Sequence, residues 1–208
     1  MDNPRELILT DVRCFRDAQR GNLRPITLLV GENSTGKTTF LGCYGVLCQV
    51  FSRLDIDSLL DFNNEPFTMG SFRDIVRSRR GPSGRLEEFK LGLAVDPASE
   101  SGIPSYTLIA TFREKGSEPV ISSFRFQFSP DSFLELHRSP DGTVLRIPDR
   151  DVATDFPFGQ VVFILDFLTR LAVDEKQTPR ESADLQPIAD YLRNLFSDYS
   201  SPWQKASG

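Results

Sequence analysis

The sequence predicts an α/β fold, and three patterns along the chain lead to that prediction. The apolar, partly β-branched segment 26–30 runs into a glycine-rich loop and then a helical pattern, which is typical of a buried parallel strand followed by a helix. Between 89 and 147, apolar runs alternate with polar residues and are separated by turn-forming clusters, which indicates antiparallel strands. Helical spacing returns after residue 155. The predicted parts of one domain are a strand–loop–helix core at 1–62, a connecting segment at 63–88, an antiparallel β-subdomain at 89–148 and a helical segment at 149–208.

Length and composition indicate a water-soluble globular protein. The 208 residues suffice for one sizeable hydrophobic core, and 39% apolar and 25% charged residues are ordinary values. The net charge of −5 gives no overall attraction to nucleic acid. The N-terminus lacks the apolar run of a signal peptide, and the densest uncharged apolar run, 161–165, is too short to cross a membrane. Cys14, Cys43 and Cys48 lack metal-ligand spacing, so we expect reduced, mostly buried thiols in a cytoplasmic protein without a membrane segment.

The glycine-rich loop at 31–38 carries the clearest chemical signal. It reads G-E-N-S-T-G-K-T and matches G-x-x-x-x-G-K-T, the Walker A motif that binds phosphate. Glycines allow the backbone to turn, and the loop amides and the helix N-terminus attract phosphate oxygens. Lys37 can reach the β- and γ-phosphates, and Thr38 offers a hydroxyl group to Mg²⁺. The alternative is a solvated glycine loop in which the lysine is incidental.

Residues 22–41 read N-L-R-P-I-T-L-L-V-G-E-N-S-T-G-K-T-T-F-L and resemble the nucleotide-binding start of ABC-type ATPases of the RecF/SMC/OLD group. The segment from Leu7 to Phe15, followed by Arg16 and Asp17, resembles the first strand and turn of that group. Ser34 stands where glycine is commoner, and Thr38 where serine is commoner. The likeness is close over about the first fifty residues and loose beyond them.

The resemblance implies an ABC-type P-loop NTPase core, of which we expect this chain to hold only a part. It implies ATP and Mg²⁺ as cofactors, an ATP-dependent homodimer, and a role in DNA repair or antiphage defence coupled to a nuclease or another effector protein. Because the turn after the first strand approaches the nucleotide in that group, Arg16 is a candidate phosphate or base contact, with a surface arginine as the alternative. The candidate nucleotide-binding residues are Gly31, Glu32, Asn33, Ser34, Thr35, Gly36, Lys37, Thr38, Thr39 and Arg16, with Lys37 also the catalytic candidate and Thr38 the metal ligand.

The helix after the loop is predicted to be buried on all sides. No charged residue occurs from Thr38 to Ser52, and apolar residues cover nearly every face. Gly42 and Gly45 each cost about 1 kcal/mol relative to alanine in a helix, which close packing against a sheet would offset. We therefore expect the helix to lie between two β-layers. Before the loop, 5–15 is predicted to be a strand and 19–23 a turn.

A cluster of five arginines follows the helix. Clustered cations are what phosphate neutralisation requires, so a contact with DNA, RNA or an acidic partner is one interpretation. A solvated basic loop is the other. The five are Arg73, Arg77, Arg79, Arg80 and Arg85.

Other motifs that the resemblance requires are missing. A hydrolysing ABC-type ATPase needs a strand that ends in Asp, usually followed by Glu, and a signature sequence donated by a second protomer. Segment 161–166 is an apolar run that ends in Asp166, but Phe167 stands in the Glu position and no signature precedes it. Asp166 is therefore a Walker B candidate, with a helix-surface aspartate as the alternative. Since a core without its Walker B strand exposes apolar surface, we expect poor solubility of the isolated chain.

The leading functional prediction is a P-loop ATPase. The alternative is a nucleotide-binding regulatory or scaffold subunit without its own turnover, which the missing Walker B motif favours. A kinase or GTPase is a third candidate, although the N-K-x-D motif that reads guanine is absent. His137, the only histidine, is predicted to be a surface residue and not a catalytic base.

Overall fold

A computed structural model describes residues 3–52, 60–78, 84–96, 104–140, 142–154, 158 and 186–200. The elements are β1 (Asn3–Val12), β2 (Phe15–Asn22), α1 (Lys37–Ser52), α2 (Phe72–Ile75), β3 (Glu88–Asp96), β4 (Tyr106–Lys115), β5 (Glu118–Gln127), β6 (Phe133–Ser139), β7 (Gly142–Ile147), β8 (Arg150–Thr154) and α3 (Gln186–Ser200).

All eight strands belong to one sheet with the order β2-β1-β3-β4-β5-β6-β7-β8. Every neighbouring pair is antiparallel, so the sheet is a meander in which β1 alone is displaced, lying between β2 and β3. The strands predicted between 89 and 147 are present as β3 to β7. They do not form a separate subdomain, because β3 pairs directly with β1 along most of its length.

The predicted α/β fold with a parallel P-loop core is wrong for the described residues. The segment 26–30 forms no strand, and the side chains of Ile26, Leu28 and Val30 are 83%, 83% and 92% exposed. A strand needs a neighbour with which to exchange backbone hydrogen bonds. In this sheet β1 has β2 on one side and β3 on the other, so neither edge of β1 is open to 26–30.

The helix α1 packs on one side of the sheet, against β1 and β3. Cys43, Val46 and Leu47 are buried in this contact, whereas Leu41 is 42% exposed and Cys48 is exposed. The prediction that the helix lies between two β-layers is therefore wrong for the part of the chain that the structure describes. On the outer side of α1, the apolar side chain of Leu41 is exposed to solvent.

Phenylalanines from the sheet and from the segment 60–78 form the centre of the core. Phe89 and Phe112 stack with ring centroids 4.9 Å apart, and Phe62 meets both rings edge-on at 6.0 and 5.3 Å. Phe72 of α2 also packs on Phe89. Edge-on and stacked pairs of this kind add to the free energy gained by burial. The segment after α1 thus covers the sheet, while its arginines remain near the surface.

The C-terminal helix α3 contributes buried side chains to the hydrophobic core. Ile188, Ala189 and Leu192 are buried. Within the segment predicted to be helical at 149–208, residues 150–154 form the strand β8 and α3 is a helix, as predicted for that part. Residues 155–157 and 159–185 fall outside the described residues, and Phe158 is buried. No helix in the described ranges is long and apolar enough to span a membrane.

A row of alternating charges crosses strands β5 to β8. Arg125 pairs in register with Glu135, Glu135 with Arg146, and Arg146 with Asp151. The outer pair is the tightest, with Arg146 Nε 2.8 Å from Asp151 Oδ1. An antiparallel sheet can expose one face to water when that face is polar, and this row supplies such a surface.

Candidate functional site

The glycine-rich loop turns the chain into α1, which begins at Lys37. Ser34 (φ 67°) and Gly36 (φ 93°) adopt left-handed backbone conformations. A Cβ atom on Gly36 would lie 2.8 Å from both Cys14 Sγ and Phe15 Cζ, so a side chain at this position would collide with the turn between β1 and β2. Glycine is therefore required here for conformation and for space, as the sequence motif predicts.

The ammonium group of Lys37 lies inside the curve of the loop. Its Nζ atom donates hydrogen bonds to the carbonyl oxygens of Gly31 at 2.8 Å and Glu32 at 2.6 Å. Thr35 Oγ1 donates to the same Glu32 carbonyl at 2.9 Å. Since an ammonium group has three donors, these two bonds leave one N–H direction for a further acceptor. The loop is thus closed around a positive charge.

The N-terminus of α1 places backbone amide groups that have no helical acceptor next to the Lys37 ammonium group. Phe40 N–H bonds to the Gly36 carbonyl at 2.8 Å, so the helical ladder starts at Phe40 and the amides of Lys37, Thr38 and Thr39 have no helical acceptor. The first turn of α1 contains no acidic residue. Helix amides of this kind, together with the helix dipole, attract anions. Thr38 is exposed here, so its hydroxyl group is accessible to a ligand.

Two glycines, Gly21 and Gly42, allow close contacts between α1 and neighbouring segments. A Cβ atom on Gly21 would overlap the Phe40 ring, and one on Gly42 would lie 2.9 Å from Met69 Sδ. Close packing is therefore present at Gly42, but its neighbour is Met69, which lies outside the sheet, and not a strand as predicted. A Cβ atom on Gly45 would meet nothing within 4 Å, so packing does not explain glycine there.

Arg13, at the end of β1, contacts α1, whereas the predicted candidate Arg16 points elsewhere. Arg13 Nη1 donates to Thr39 Oγ1 at 3.3 Å, and Thr39 is only 5% exposed. The Arg16 side chain is 74% exposed and pairs with Asp17 at 3.7 Å. No local sequence pattern favours Arg13 over Arg16, because the role of Arg13 depends on tertiary contacts with α1 and with the segment 69–75.

Of the three arginines of the predicted cluster that the structure describes, two are paired with carboxylates. Arg73 Nε pairs with Glu114 at 3.0 Å, and Arg77 Nε pairs with Asp11 at 2.8 Å in a partly buried position. Glu114 and Asp11 thus neutralise the charges of two arginines that were predicted to contact nucleic acid. Arg79 and Arg80 lie outside the described residues.

Arg85, the fifth arginine, lines a cleft of about 800 Å³ together with Arg73 and Arg113. The acidic residues Glu87 and Glu114 line the same cleft, so its charge is mixed. The floor includes the apolar side chains of Phe72, Val76 and Leu86.

Within the described ranges, Lys37 is the one candidate residue for hydrolysis that lies at the loop. Asp166 falls in the range that the structure leaves undescribed. Among the described residues, no three His, Cys, Asp or Glu side chains come together to hold a metal ion. His137 is half-buried, and its Nε2 atom lies 3.3 Å from Glu135 Oε2 in the charged row of the sheet. It belongs to that row and contributes nothing to the loop.

The cysteines are all free thiols, as predicted, but they differ in environment. Cys14 and Cys48 are exposed, so the prediction of mostly buried thiols is wrong, and Cys43 is buried on the side of α1 that faces the sheet. Burial raises the pKa of Cys43 to about 12, against a smaller opposing effect of the nearby Arg13 charge. Cys43 is therefore a protonated core residue at neutral pH.

No protein-family model and no curated protein matches this chain. The features of this chain that bear on function are therefore the loop at 31–38, its lysine and the helix that follows.

Proposed function

We propose that this chain binds ATP with Mg²⁺ through the loop 31–38. The observation that carries the proposal is the position of Lys37 Nζ, 2.6–2.8 Å from two loop carbonyls and next to the unpaired amides of the α1 N-terminus. A triphosphate is the ligand chemistry that fits such a combination, because fixed amides and a lysine ammonium complement several phosphate oxygens at once. The proposal concerns the loop alone, since the parallel sheet of a P-loop core is not observed in the described residues.

Each part of the loop has a separate task in this proposal. The amides from Asn33 to Lys37 hold phosphate oxygens, and Lys37 offers its remaining N–H to the terminal phosphates. Thr38 offers its exposed hydroxyl group to Mg²⁺. When bound there, Mg²⁺ would neutralise part of the phosphate charge. Arg16, on the exposed side of the adjoining turn, remains a candidate contact for the rest of the nucleotide.

Hydrolysis requires more than these residues supply. Turnover needs a carboxylate or similar group that orients water, and in the described part of the chain Lys37 forms no salt bridge with a carboxylate. ATP hydrolysis, ATP-dependent homodimerisation, a cytoplasmic location and coupling to a nuclease or effector in DNA repair or antiphage defence are further proposals from the family resemblance. A regulatory or scaffold subunit that binds ATP without turnover is the competing proposal.

Parallel measurements of MgATP binding and phosphate release distinguish an ATPase from a regulatory subunit without turnover. Binding with sustained phosphate release that Thr38→Ala abolishes supports the ATPase. Binding without release, at every protein concentration tested, supports the regulatory subunit. A matched control is Thr107→Ala, which changes a threonine on β4, outside the loop and α1, and should leave both activities unchanged.

A second candidate function is a contact with DNA or RNA at the cleft lined by Arg73, Arg85 and Arg113. Phosphate contacts by arginine make binding weaken with added salt. Replacing Arg73 and Arg85 by Ala should lower the affinity and flatten its salt dependence. Arg146→Ala, which changes a residue of the charged row on β7, is the control. Absence of nucleic-acid binding by the wild type at low salt would end this proposal.

A further inference from the structure

Arg13 connects three separate segments of the chain through hydrogen bonds. Its Nη1 atom donates to Thr39 Oγ1 in the first turn of α1 at 3.3 Å. Its Nη2 atom donates to the Met69 carbonyl at 2.7 Å, and its Nε atom donates to the Asp74 carbonyl at 3.1 Å. All three nitrogens of the guanidinium group are thus engaged, and the side chain bridges the β1–β2 turn, α1 and the segment 69–75.

The backbone of Arg13 is held as firmly as its side chain. Its φ of 45° is in the left-handed region, which residues with a Cβ atom rarely adopt. Its N–H donates to the Ile75 carbonyl at 2.8 Å, so the turn is tied to the segment 69–75 by a main-chain bond as well. Unfavourable backbone conformations persist where surrounding contacts over-determine them, and they concentrate at functional sites.

The same turn touches the glycine-rich loop. Cys14, next to Arg13, lies against Gly36 so closely that a Cβ atom there would be 2.8 Å from its sulfur. Thr39, the acceptor of the Arg13 bond, directly follows Thr38. The β1–β2 turn therefore contacts the end of the loop and the first turn of α1, while the Arg13 guanidinium holds the carbonyls of the segment 69–75.

We infer that Arg13 is a positioning residue that couples the loop 31–38 to the segment 69–75, so that nucleotide binding at the loop also orders α2 and the arginine-lined cleft. This inference rests on the proposed function. Arg13 acts through Thr39 and the turn, because each of its three guanidinium nitrogens already donates a hydrogen bond within the protein. Phe72 and Arg73 of α2 line the cleft, so they are the residues that nucleotide binding should order there. Coupling of this kind is reciprocal, since a ligand that orders the segment 69–75 must also favour binding at the loop.

Amide hydrogen exchange on the full chain, with and without MgATP, tests the coupling. In the wild type, we expect MgATP to slow exchange in 36–43 and also in 69–75. In Arg13→Met, which keeps the length of the side chain but has no donors, we expect exchange in both segments to be faster without ligand. We also expect the slowing at 69–75 to be lost and the MgATP affinity to fall by about tenfold or more.

Two further variants separate positioning from general destabilisation. Arg20→Met removes an exposed arginine from the same hairpin, one that pairs with Glu6, and should behave like the wild type in every measurement. Arg13→Lys keeps the charge but lacks the three-nitrogen fork, so it should retain part of the MgATP affinity without restoring the ligand-dependent slowing at 69–75.

The outcomes distinguish this inference from the proposed function. If the wild type binds MgATP and Arg13→Met keeps the ligand-dependent slowing at 69–75, the coupling is refuted and the proposed function stands. If the wild type does not bind MgATP, the proposed function fails. In that case, faster ligand-free exchange of both segments in Arg13→Met still supports the mechanical link, and unchanged exchange refutes it.

Discussion

Lys37 Nζ donates a 2.6 Å hydrogen bond to the carbonyl oxygen of Glu32, five residues earlier in the chain. This bond, with its partner to Gly31, bends the loop around an ammonium group at the start of α1. The geometry is local, since the loop and the first helical residues supply all the groups involved. A phosphate-binding loop can therefore be argued here although the sheet beside it differs from the expected one.

Stability measurements can test whether 26–30 is outside the core. We expect Leu28→Ala to change the free energy of unfolding by no more than about 0.5 kcal/mol, because the side chain is 83% exposed. The matched change Leu91→Ala, in a fully buried position of β3, should cost about 2–5 kcal/mol. Denaturant unfolding monitored by circular dichroism provides both values. A loss at Leu28 as large as that at Leu91 would mean that 26–30 is a buried strand after all.

The two glycines within α1 should respond differently to alanine. Gly45→Ala should stabilise the protein by about 0.5–1 kcal/mol, because the new methyl group meets open space and alanine favours the helix. Gly42→Ala places its methyl group 2.9 Å from Met69 Sδ, and overpacking costs about 1–3 kcal/mol. We therefore expect Gly42→Ala to be the less stable variant in thermal unfolding. Equal stabilities would show that α1 does not pack on Met69 as described.

Thiol labelling should distinguish the buried cysteine from the exposed ones. At neutral pH a chromogenic disulfide reagent should modify two of the three cysteines in the native protein, Cys14 and Cys48. Cys43 should be unreactive, because its pKa of about 12 leaves almost no thiolate and because it is buried. All three should react in denaturant. Cys43→Ser should leave the native count at two, and a native count of one in this variant would contradict the assignment.

The carboxylate of Asp74 should give α2 a pH-dependent contribution to stability. Hydrogen bonds from the Ser71 hydroxyl at 2.7 Å and then from its backbone N–H at 2.9 Å lower the pKa of Asp74 below its usual 3.8. Because the folded pKa is the lower one, the stabilisation is fully present above pH 3.8 and is lost as the pH falls through the folded value.

The melting temperature of Asp74→Asn should accordingly lie below that of the wild type at neutral pH, and the difference should shrink under acid conditions. The control Asp131→Asn, at an exposed position after β5, should show a small difference that does not depend on pH. A difference for Asp74→Asn that is constant from neutral to acid pH would contradict the proposed role of the Ser71 hydrogen bonds.

The strands from β3 to β7 could be predicted because the information for each is local. Apolar alternation and turn residues such as Asp141-Gly142 occur within each hairpin, and the observed sheet follows them in chain order. The strand β2 was missed and was predicted to be a turn in part. Its sequence, F-R-D-A-Q-R-G-N, is almost entirely exposed at the sheet edge and has no apolar alternation to reveal it.

The prediction of a parallel strand at 26–30 is wrong because the apolar pattern of one segment does not show whether a second strand is available to pair with it. Five apolar or β-branched residues are compatible with a buried strand, but burial requires a neighbouring strand elsewhere in the chain. The glycine requirement at Gly36 was predictable from the motif, since it depends on local conformation. The contact of Arg13 with Thr39 and the segment 69–75 was not, because residues 26 and 56 positions apart have to meet.

Calorimetric titration of the purified chain with MgATP, beside Lys37→Ala, tests the central claim most directly. We expect saturable binding by the wild type and its loss in Lys37→Ala, because the substitution removes the ammonium group at the centre of the loop. Lys115→Ala, which changes an exposed lysine at the end of β4, should bind as the wild type does. Equal affinities of the wild type and Lys37→Ala, or no binding by a folded wild type, would contradict the assignment of 31–38 as a nucleotide-binding loop.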